Sequence, residues 1–170
     1  MTQAGVNVEH TMKKQNTERN WFFLLFALAA LLASCDRSVV YEVHQALPSA
    51  GWPAAEALSF EASVSDTTSL HNMYINVRNT TDYGFSNLYL FLNIEFPDGT
   101  LLRDTLECTL AEKDGKWTGK GLGKIRSNRF LFRTDVWFPV AGAYFFSIEQ
   151  AMRTDQLEGI SDIGLRIERK

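Results

Sequence analysis

The residue with the clearest chemical role is Cys35, which ends the short run Leu32–Cys35. An apolar segment from Trp21 to Leu32 lies directly upstream. A short hydrophobic segment, small residues and then cysteine are typical of a bacterial lipoprotein signal. In such a signal the cysteine thiol receives a diacylglyceryl group, and signal peptidase then cuts before the cysteine. The apolar segment is too short to cross a bilayer, which needs about 20 residues, so we predict a lipid on Cys35.

The predicted signal peptide covers residues 1–34 and is irregular at its start. Residues 1–11 contain no Lys or Arg, whereas Met12 opens a basic stretch with Lys13 and Lys14. Because a signal peptide begins with a positively charged region, we expect translation to start at Met12. The alternative is an N-terminal membrane anchor that is not cleaved.

Candidate catalytic and metal-binding residues are few in the mature chain. His44 and His71 lie far apart in sequence and Cys108 is the one cysteine besides Cys35, so no metal-ligand cluster is expected. Cys108 alternates with leucines, which predicts a buried and unreactive thiol. The glycine-rich segment 115–124 lacks the Walker A spacing, and no carboxylates are paired for glycoside hydrolysis. We therefore predict a protein without enzymatic activity, metal or cofactor.

The overall charge argues against nucleic acid as a partner. The predicted leader contains three basic and two acidic residues, so its removal changes the net charge from −3 to −4. An acidic protein outside the cytoplasm has no electrostatic attraction for nucleic acid. We expect partners at the membrane instead, reached through the lipid on Cys35.

A basic segment interrupts this acidic chain. From Lys113 to Arg133 there are seven basic residues and one acid. One interpretation is a solvated long loop with glycines at its bends. The other is a docking surface for an acidic partner or a glycan, with Trp117 as an aromatic anchor. The candidate contact residues are Lys116, Trp117, Lys120, Lys124 and Arg153.

Alternation of apolar and polar residues with period two predicts an all-β protein. Large apolar residues occupy every even position from Leu88 to Phe96, and Pro97–Thr100 is a turn sequence. Segments 86–96 and 101–110 are therefore predicted to form a hairpin. Further strands are predicted around residues 58–64, 73–77, 144–148 and 163–167, with a short helical turn within 150–158. We predict a single antiparallel β-sandwich, jelly-roll or immunoglobulin-like, at residues 46–170, after a lipidated tether at residues 35–45.

A series of short motifs occurs in an order that resembles one known family. The motifs are Asn76–Tyr83, Phe85–Leu88, Phe96–Gly99, Asp104–Cys108, Asp114–Gly121, Glu149–Arg153, Leu157–Ile160 and Asp162–Glu168. Together with the lipoprotein signal they resemble the gliding-motility lipoprotein family GldH of Bacteroidetes, across essentially the whole mature chain. The resemblance implies a cell-envelope lipoprotein, expected in the outer membrane, that is needed for gliding and linked functionally to the type IX secretion apparatus. The family has no known enzymatic activity, so the resemblance implies no catalytic residues.

Two functional hypotheses follow. The first is a non-enzymatic scaffold or stabilising subunit of the gliding and type IX secretion machinery. The alternative is a glycan-binding surface lipoprotein that captures polysaccharide, with Trp52, Trp117 and Trp137 as candidate stacking residues. The glycan hypothesis requires two or three aromatic side chains side by side on one exposed face.

Overall fold

Residues 37–170 are described by a computed structural model, and within them every regular element is a β-strand. The predictions for the signal peptide, for Met12 as the start and for the lipid on Cys35 lie outside the described residues. Within 37–170, no helix is long and apolar enough to cross a membrane. Ser38–Lys170 is one compact unit.

Ten strands follow one another within residues 37–170. They are β1 (Val39–Ala46), β2 (Trp52–Pro53), β3 (Leu58–Val64), β4 (Leu70–Thr80), β5 (Asn87–Glu95), β6 (Leu101–Thr109), β7 (Ile125–Trp137), β8 (Gly142–Gln150), β9 (Gln156–Leu157) and β10 (Ile160–Arg169).

The eight longer strands form two four-stranded antiparallel sheets. Sheet I has the order β1-β10-β4-β7 and sheet II the order β3-β8-β5-β6, while β2 and β9 form a separate two-stranded ribbon. The pairs β1 with β10, β3 with β8, β4 with β7 and β5 with β6 are nested inside one another along the chain. A long hairpin rolled up in this way is a jelly roll. The strand order thus confirms the predicted sandwich and selects the jelly roll over the immunoglobulin-like arrangement.

The core lies between the sheets and is built by the alternation that the sequence shows. The predicted hairpin is confirmed, with Leu90 opposite Leu106 and Leu88 opposite Cys108. Its turn closes where Gly99 adopts a φ of 82°, a conformation that glycine tolerates best. The Cys108 side chain is fully buried, as predicted, and burial together with the nearby charge of Glu107 raises the pKa of the thiol to about 12.

The predicted tether boundary is wrong, because β1 begins at Val39, inside the segment assigned to the tether. Tyr41 pairs with Ile167 and Gln45 with Ile163, so this segment completes one edge of sheet I. None of the eight residues of β1 is fully buried, so the alternation of apolar and polar residues is weak in this strand.

Two further predictions are corrected in the second half of the chain. No helical turn forms in 150–158. Instead, the side chain of Gln150 accepts a hydrogen bond from the Met152 N–H at 2.8 Å and donates one to the Thr154 carbonyl at 2.8 Å. These bonds fold the loop before β9. The basic segment 113–133 is also not one long loop, since β7 starts at Ile125. Phe130 packs against the core from this strand while the adjacent Arg129 is exposed, as expected of a half-exposed edge strand.

Loops and termini gather at the two ends of the sandwich. The terminal end, as we call it, comprises residues 37–38, 65–69, 96–100, 138–141 and 170, together with the strand residues next to them. The loop end comprises residues 47–57, 81–86, 110–124 and 151–159. Strand β7 runs from the loop end at Ile125 to the terminal end at Trp137, roughly 40 Å at the usual rise per residue.

Candidate partner-binding groove

The outer face of sheet I is mostly polar and charged, with Tyr74 and the half-exposed Leu131 among its less polar members. It forms because the residues between the inward-facing positions of β1, β4, β7 and β10 all point away from the core. The polar and charged side chains that share this face are Glu42, His44, Asn76, Arg78, Arg129, Asp162, Arg166 and Glu168.

Arg166 is the centre of the first part of this charge network. Its guanidinium donates to the carboxylates of Glu42 and Glu168, and only 7% of the residue remains exposed. Burial opposes ionisation of Glu42, but the hydrogen bond and charge of Arg166, aided by His44 and Arg129, outweigh it and lower the pKa of the carboxyl. Burial likewise opposes the charge of Arg166, and its two carboxylate partners more than offset this, so the pKa of the guanidinium is raised.

Arg129 extends the network from the edge strand β7 across the face. Its Nε donates to the Asn76 side-chain oxygen at 3.0 Å, and its terminal nitrogens lie 3.5 Å from Glu168 and 3.7 Å from Glu42. The guanidinium also lies 5.8 Å from the ring centroid of Tyr74, within the range of a cation–π contact. One arginine on β7 therefore connects strands β1, β4 and β10.

His44 forms the second centre of the network, above a glycine in β10. Its Nδ1 lies 3.1 Å from Asp162, which also accepts from Arg78 at 3.1 Å, and its Nε2 lies 3.4 Å from the Asn76 amide. A Cβ at Gly164 would lie 2.7 Å from Nδ1 of this ring. Gly164 is therefore required for the imidazole to lie flat against the strand.

These side chains line an open groove of about 740 Å³. Glu42, His44 and Asn76 line it on the sheet, and it continues over the edge of β7 to Lys120 and Thr118. The Thr118 hydroxyl bonds the Asn128 side chain at 2.9 Å, and backbone hydrogen bonds join Lys120 to Ser127 in both directions. The basic segment thus forms one wall of the groove.

The chemistry of the groove suits binding better than proton transfer. A general acid at neutral pH needs a raised carboxyl pKa, whereas the pKa of Glu42 is lowered by its arginine partners. Within residues 37–170, no three side chains of His, Cys, Asp or Glu converge as metal ligands. The groove offers fixed donors and acceptors to a polar partner, with Lys120 at its rim.

The predicted contact residues are only partly brought together. Lys116 is exposed in a tight turn, Lys120 lines the groove, and Lys124 is paired with Asp82 at 3.0 Å. Trp117 is half-buried and packs against the core, so it is not an exposed anchor. Arg153 is exposed at the same loop end, but it lies in the separate loop between β8 and β9.

The aromatic residues proposed for glycan stacking are dispersed. Trp52 is completely buried, whereas Trp137 is exposed at the terminal end, far from Trp117. The outer face of sheet II also exposes Tyr89 and Phe145, but six strand positions separate Tyr89 from the residue opposite Phe145, roughly 20 Å.

Between Tyr89 and Phe145 on sheet II lies Phe91, which does not offer a free ring. The Arg103 guanidinium lies 4.6 Å from its ring centroid. No row of adjacent, uncovered aromatic rings is therefore present on the described faces, and the arrangement gives the glycan hypothesis no specific support.

A sequence profile described as GldH lipoprotein matches residues 39–167 of this chain. The matched segment runs from the first residue of β1 into β10 and therefore includes nearly the whole jelly roll. This chain belongs to the GldH lipoprotein family. The family resemblance read from the sequence motifs is thereby confirmed.

Curated members of the GldH family are similar over most of their length. The "Gliding motility lipoprotein GldH homolog" of Christiangramia forsetii is 36% identical over 155 residues, which cover 87% of this chain and 94% of the relative. The "Gliding motility lipoprotein GldH" of Flavobacterium johnsoniae is 36% identical over 154 residues, covering 86% and 95%.

Among solved structures, a carbohydrate-binding module specific for non-crystalline cellulose covers 76% of this GldH-family chain and 73% of its own chain. Its TM-score is 0.42 and its sequence identity 8%. A superposition this loose carries no argument about fold or function.

Sequence reasoning missed most of the groove in this GldH-family protein. Asp162, Arg166 and Glu168 occupy alternate positions of β10, and Gly164 interrupts the same face. This alternation was a usable signal for a polar outer face. The residues of β1, β4 and β7 that contact this face of β10 are set by the strand order, which the sequence did not reveal.

Proposed function

We propose that this chain is a membrane-anchored lipoprotein required for gliding motility, held at the outer membrane by a lipid on Cys35. It acts as a non-enzymatic scaffold or stabilising subunit of the gliding and type IX secretion machinery. The observation that carries the proposal is the 36% identity, over 87% of the chain, with a gliding motility lipoprotein homolog. The groove on sheet I and the adjoining lysines form the contact surface for another envelope protein.

The charge of the groove rim supports an acidic contact on the partner. In the part of the chain that the structure describes, Lys113, Lys116 and Lys120 have no ion-pair partner, whereas Arg78, Arg129 and Arg166 are all paired with carboxylates. An unpaired lysine that lines the groove, Lys120, with two more in the same segment of the chain, favours encounter with a negatively charged surface.

The anchor is tested first, by complementing a gliding strain that lacks its own copy of the gene. Cys35→Ala should move the protein from the membrane to the soluble fraction and abolish colony spreading, since one residue carries all the acyl chains. Full spreading by a soluble Cys35→Ala protein would contradict a required anchor.

The contact surface is tested in the same strain by crosslinking and purification from the membrane fraction. Lys120→Glu should remove the co-purifying gliding or secretion components while the protein remains folded and membrane-bound. Arg153→Glu reverses the same charge in a separate loop of the loop end and serves as the matched comparison. Equal losses from both variants would show that the whole loop end makes the contact, and unchanged capture by Lys120→Glu would exclude the groove rim.

The same purification separates the two hypotheses. Recovery of gliding or type IX secretion proteins supports the scaffold function. Recovery of polysaccharide-uptake proteins or of glycan alone would instead support glycan capture and overturn the proposal.

A further inference from the structure

Both ends of the described chain meet at the terminal end of the sandwich. The Arg169 N–H donates to the Ser38 carbonyl at 2.7 Å, and the Lys170 N–H donates to the Leu70 carbonyl at 2.9 Å. The chain therefore enters the jelly roll beside the point where it leaves it.

Exposed apolar side chains collect at the same end. Trp137 is 58% exposed and Leu101 74% exposed, and Leu70 and Val140 are exposed as well. The Trp137 indole N–H donates to the Thr67 carbonyl at 2.7 Å, so its one polar atom is satisfied and the ring is held in a fixed position. A tryptophan with an apolar ring and a satisfied N–H is suited to the headgroup region of a membrane.

Two of the acidic residues at this end are paired with basic side chains, whereas Asp98 has no ion-pair partner within residues 37–170. Lys170 lies 2.6 Å from Asp135, and Arg169 lies 3.2 Å from Asp66. These pairs reduce the number of uncompensated charges that would have to lose water if the surface approached lipid.

The length of chain before β1 limits how far this end can move from the membrane. Only three residues separate Cys35 from Val39, the first residue of β1. Four residue steps span at most about 14 Å. With the lipid on Cys35, the terminal end must remain within this distance of the acylated residue.

We propose that the terminal end lies directly against the lipid surface in which the Cys35 acyl chains are inserted, with Trp137 and Leu101 in the headgroup region. This inference rests on the lipid anchor of the proposed function. In this orientation the jelly roll stands upright on the membrane, with Lys120 and the rest of the loop end facing away from the bilayer. The groove rim is then presented to a partner, while the exposed apolar residues of the terminal end are covered by lipid.

Tryptophan fluorescence of the lipidated protein in phosphatidylethanolamine vesicles tests this orientation. Of the three tryptophans left after cleavage, Trp52 and Trp117 belong to the loop end and Trp137 alone to the terminal end. Bromine on the lipid acyl chains near the headgroup should quench part of the emission, and Trp137→Phe should remove the quenched part.

A matched control places a tryptophan at the opposite end. Leu122 is 95% exposed in the loop end, so Leu122→Trp in the Trp137→Phe background adds an exposed ring that brominated lipid should not quench. Val140→Trp in the same background should restore quenching, which keeps the test valid if Trp137→Phe perturbs its own loop.

The outcomes separate this inference from the anchor. Vesicle flotation of the wild type and its loss in Cys35→Ala confirm anchoring independently of fluorescence. If the protein floats but Trp137 and Val140→Trp escape quenching, or Leu122→Trp is quenched equally, the orientation is wrong while the anchor stands. If the wild type does not float, the proposed anchor itself fails. Dimers in solution whose formation depends on Trp137 would identify a second copy, not lipid, as the cover of this end.

Discussion

The two sheets share one core but present outer faces of different chemistry. On sheet I, Arg166 is almost completely buried between two carboxylates. On sheet II, the Arg103 side chain is 60% exposed, lies 3.9 Å from Glu149 and stacks on Phe91. A buried guanidinium that has lost its hydrating water is stabilised mainly by its carboxylate partners. An exposed guanidinium can exchange its carboxylate partner for water at little cost in free energy. We therefore expect sheet I to be rigid and specific, and sheet II to tolerate substitution.

The largest expected effect comes from removing these two arginines separately. Arg166→Met leaves Glu42 and Glu168 without their main partner, and should lower the free energy of unfolding by about 3–5 kcal/mol. Arg103→Met should lower it by less than about 1 kcal/mol. Urea denaturation of the two variants measures the difference. Equal losses would show that the network on sheet I is no more important to stability than a surface pair.

A smaller effect is expected from filling the glycine position beneath His44. Gly164→Ala places a Cβ where the imidazole lies, so the ring must turn and its hydrogen bond to Asp162 is lost, at a cost of about 1 kcal/mol. Ser147→Ala, at a mid-strand outward position of sheet II, should leave stability unchanged. Thermal unfolding gives the energies, and the His44 ring resonances report whether the ring has moved. A more stable Gly164→Ala protein with an unchanged ring would contradict the close contact.

The smallest effect, a loss of folding stability at low pH, should also come from sheet I. The folded-state pKa of Glu42 lies below its ordinary value of 4.5, so its contribution is complete above about pH 4.5 and is lost as the pH falls through the folded-state value. Glu42→Gln should flatten the acid limb of a plot of melting temperature against pH. The limb should not disappear, because hydrogen bonds also lower the carboxyl pKa of Asp98. An unchanged limb in Glu42→Gln would show that this carboxylate is not held by the network.

Much of the sandwich could be predicted because its strands carry their own alternation. The hairpin of β5 and β6 was predicted with its turn, and Cys108 was correctly assigned to the core. The two edge strands of sheet I were predicted less well than β3 and β6, the edge strands of sheet II. Residues 39–45 were assigned to a tether, and residues 125–133 were part of a segment for which a long loop was one interpretation. Neither β1 nor β7 has a fully buried residue, so the period-two pattern of apolar residues is weak in both strands.

The candidate site was predicted only in part, for a related reason. Lys116 and Lys120 stand out by charge in the sequence, and both are exposed in the structure. Trp117 is equally prominent in the sequence, yet it packs on the core. No periodic pattern surrounds this single tryptophan from which one could predict whether its side chain faces the core or solvent.

The sequence by itself determined most inward-facing residues and the all-β class, and it predicts the lipoprotein signal, since each depends on residues close together in the chain. Tertiary structure alone decided that Glu42, Arg129 and Arg166 would meet, because their strands are neighbours only in the rolled sheet. The same is true of Trp137 and Ser38, which share one end although 98 residues lie between them in the chain. Contacts between distant strands follow from the order in which the sheets close, and no local pattern encodes that order.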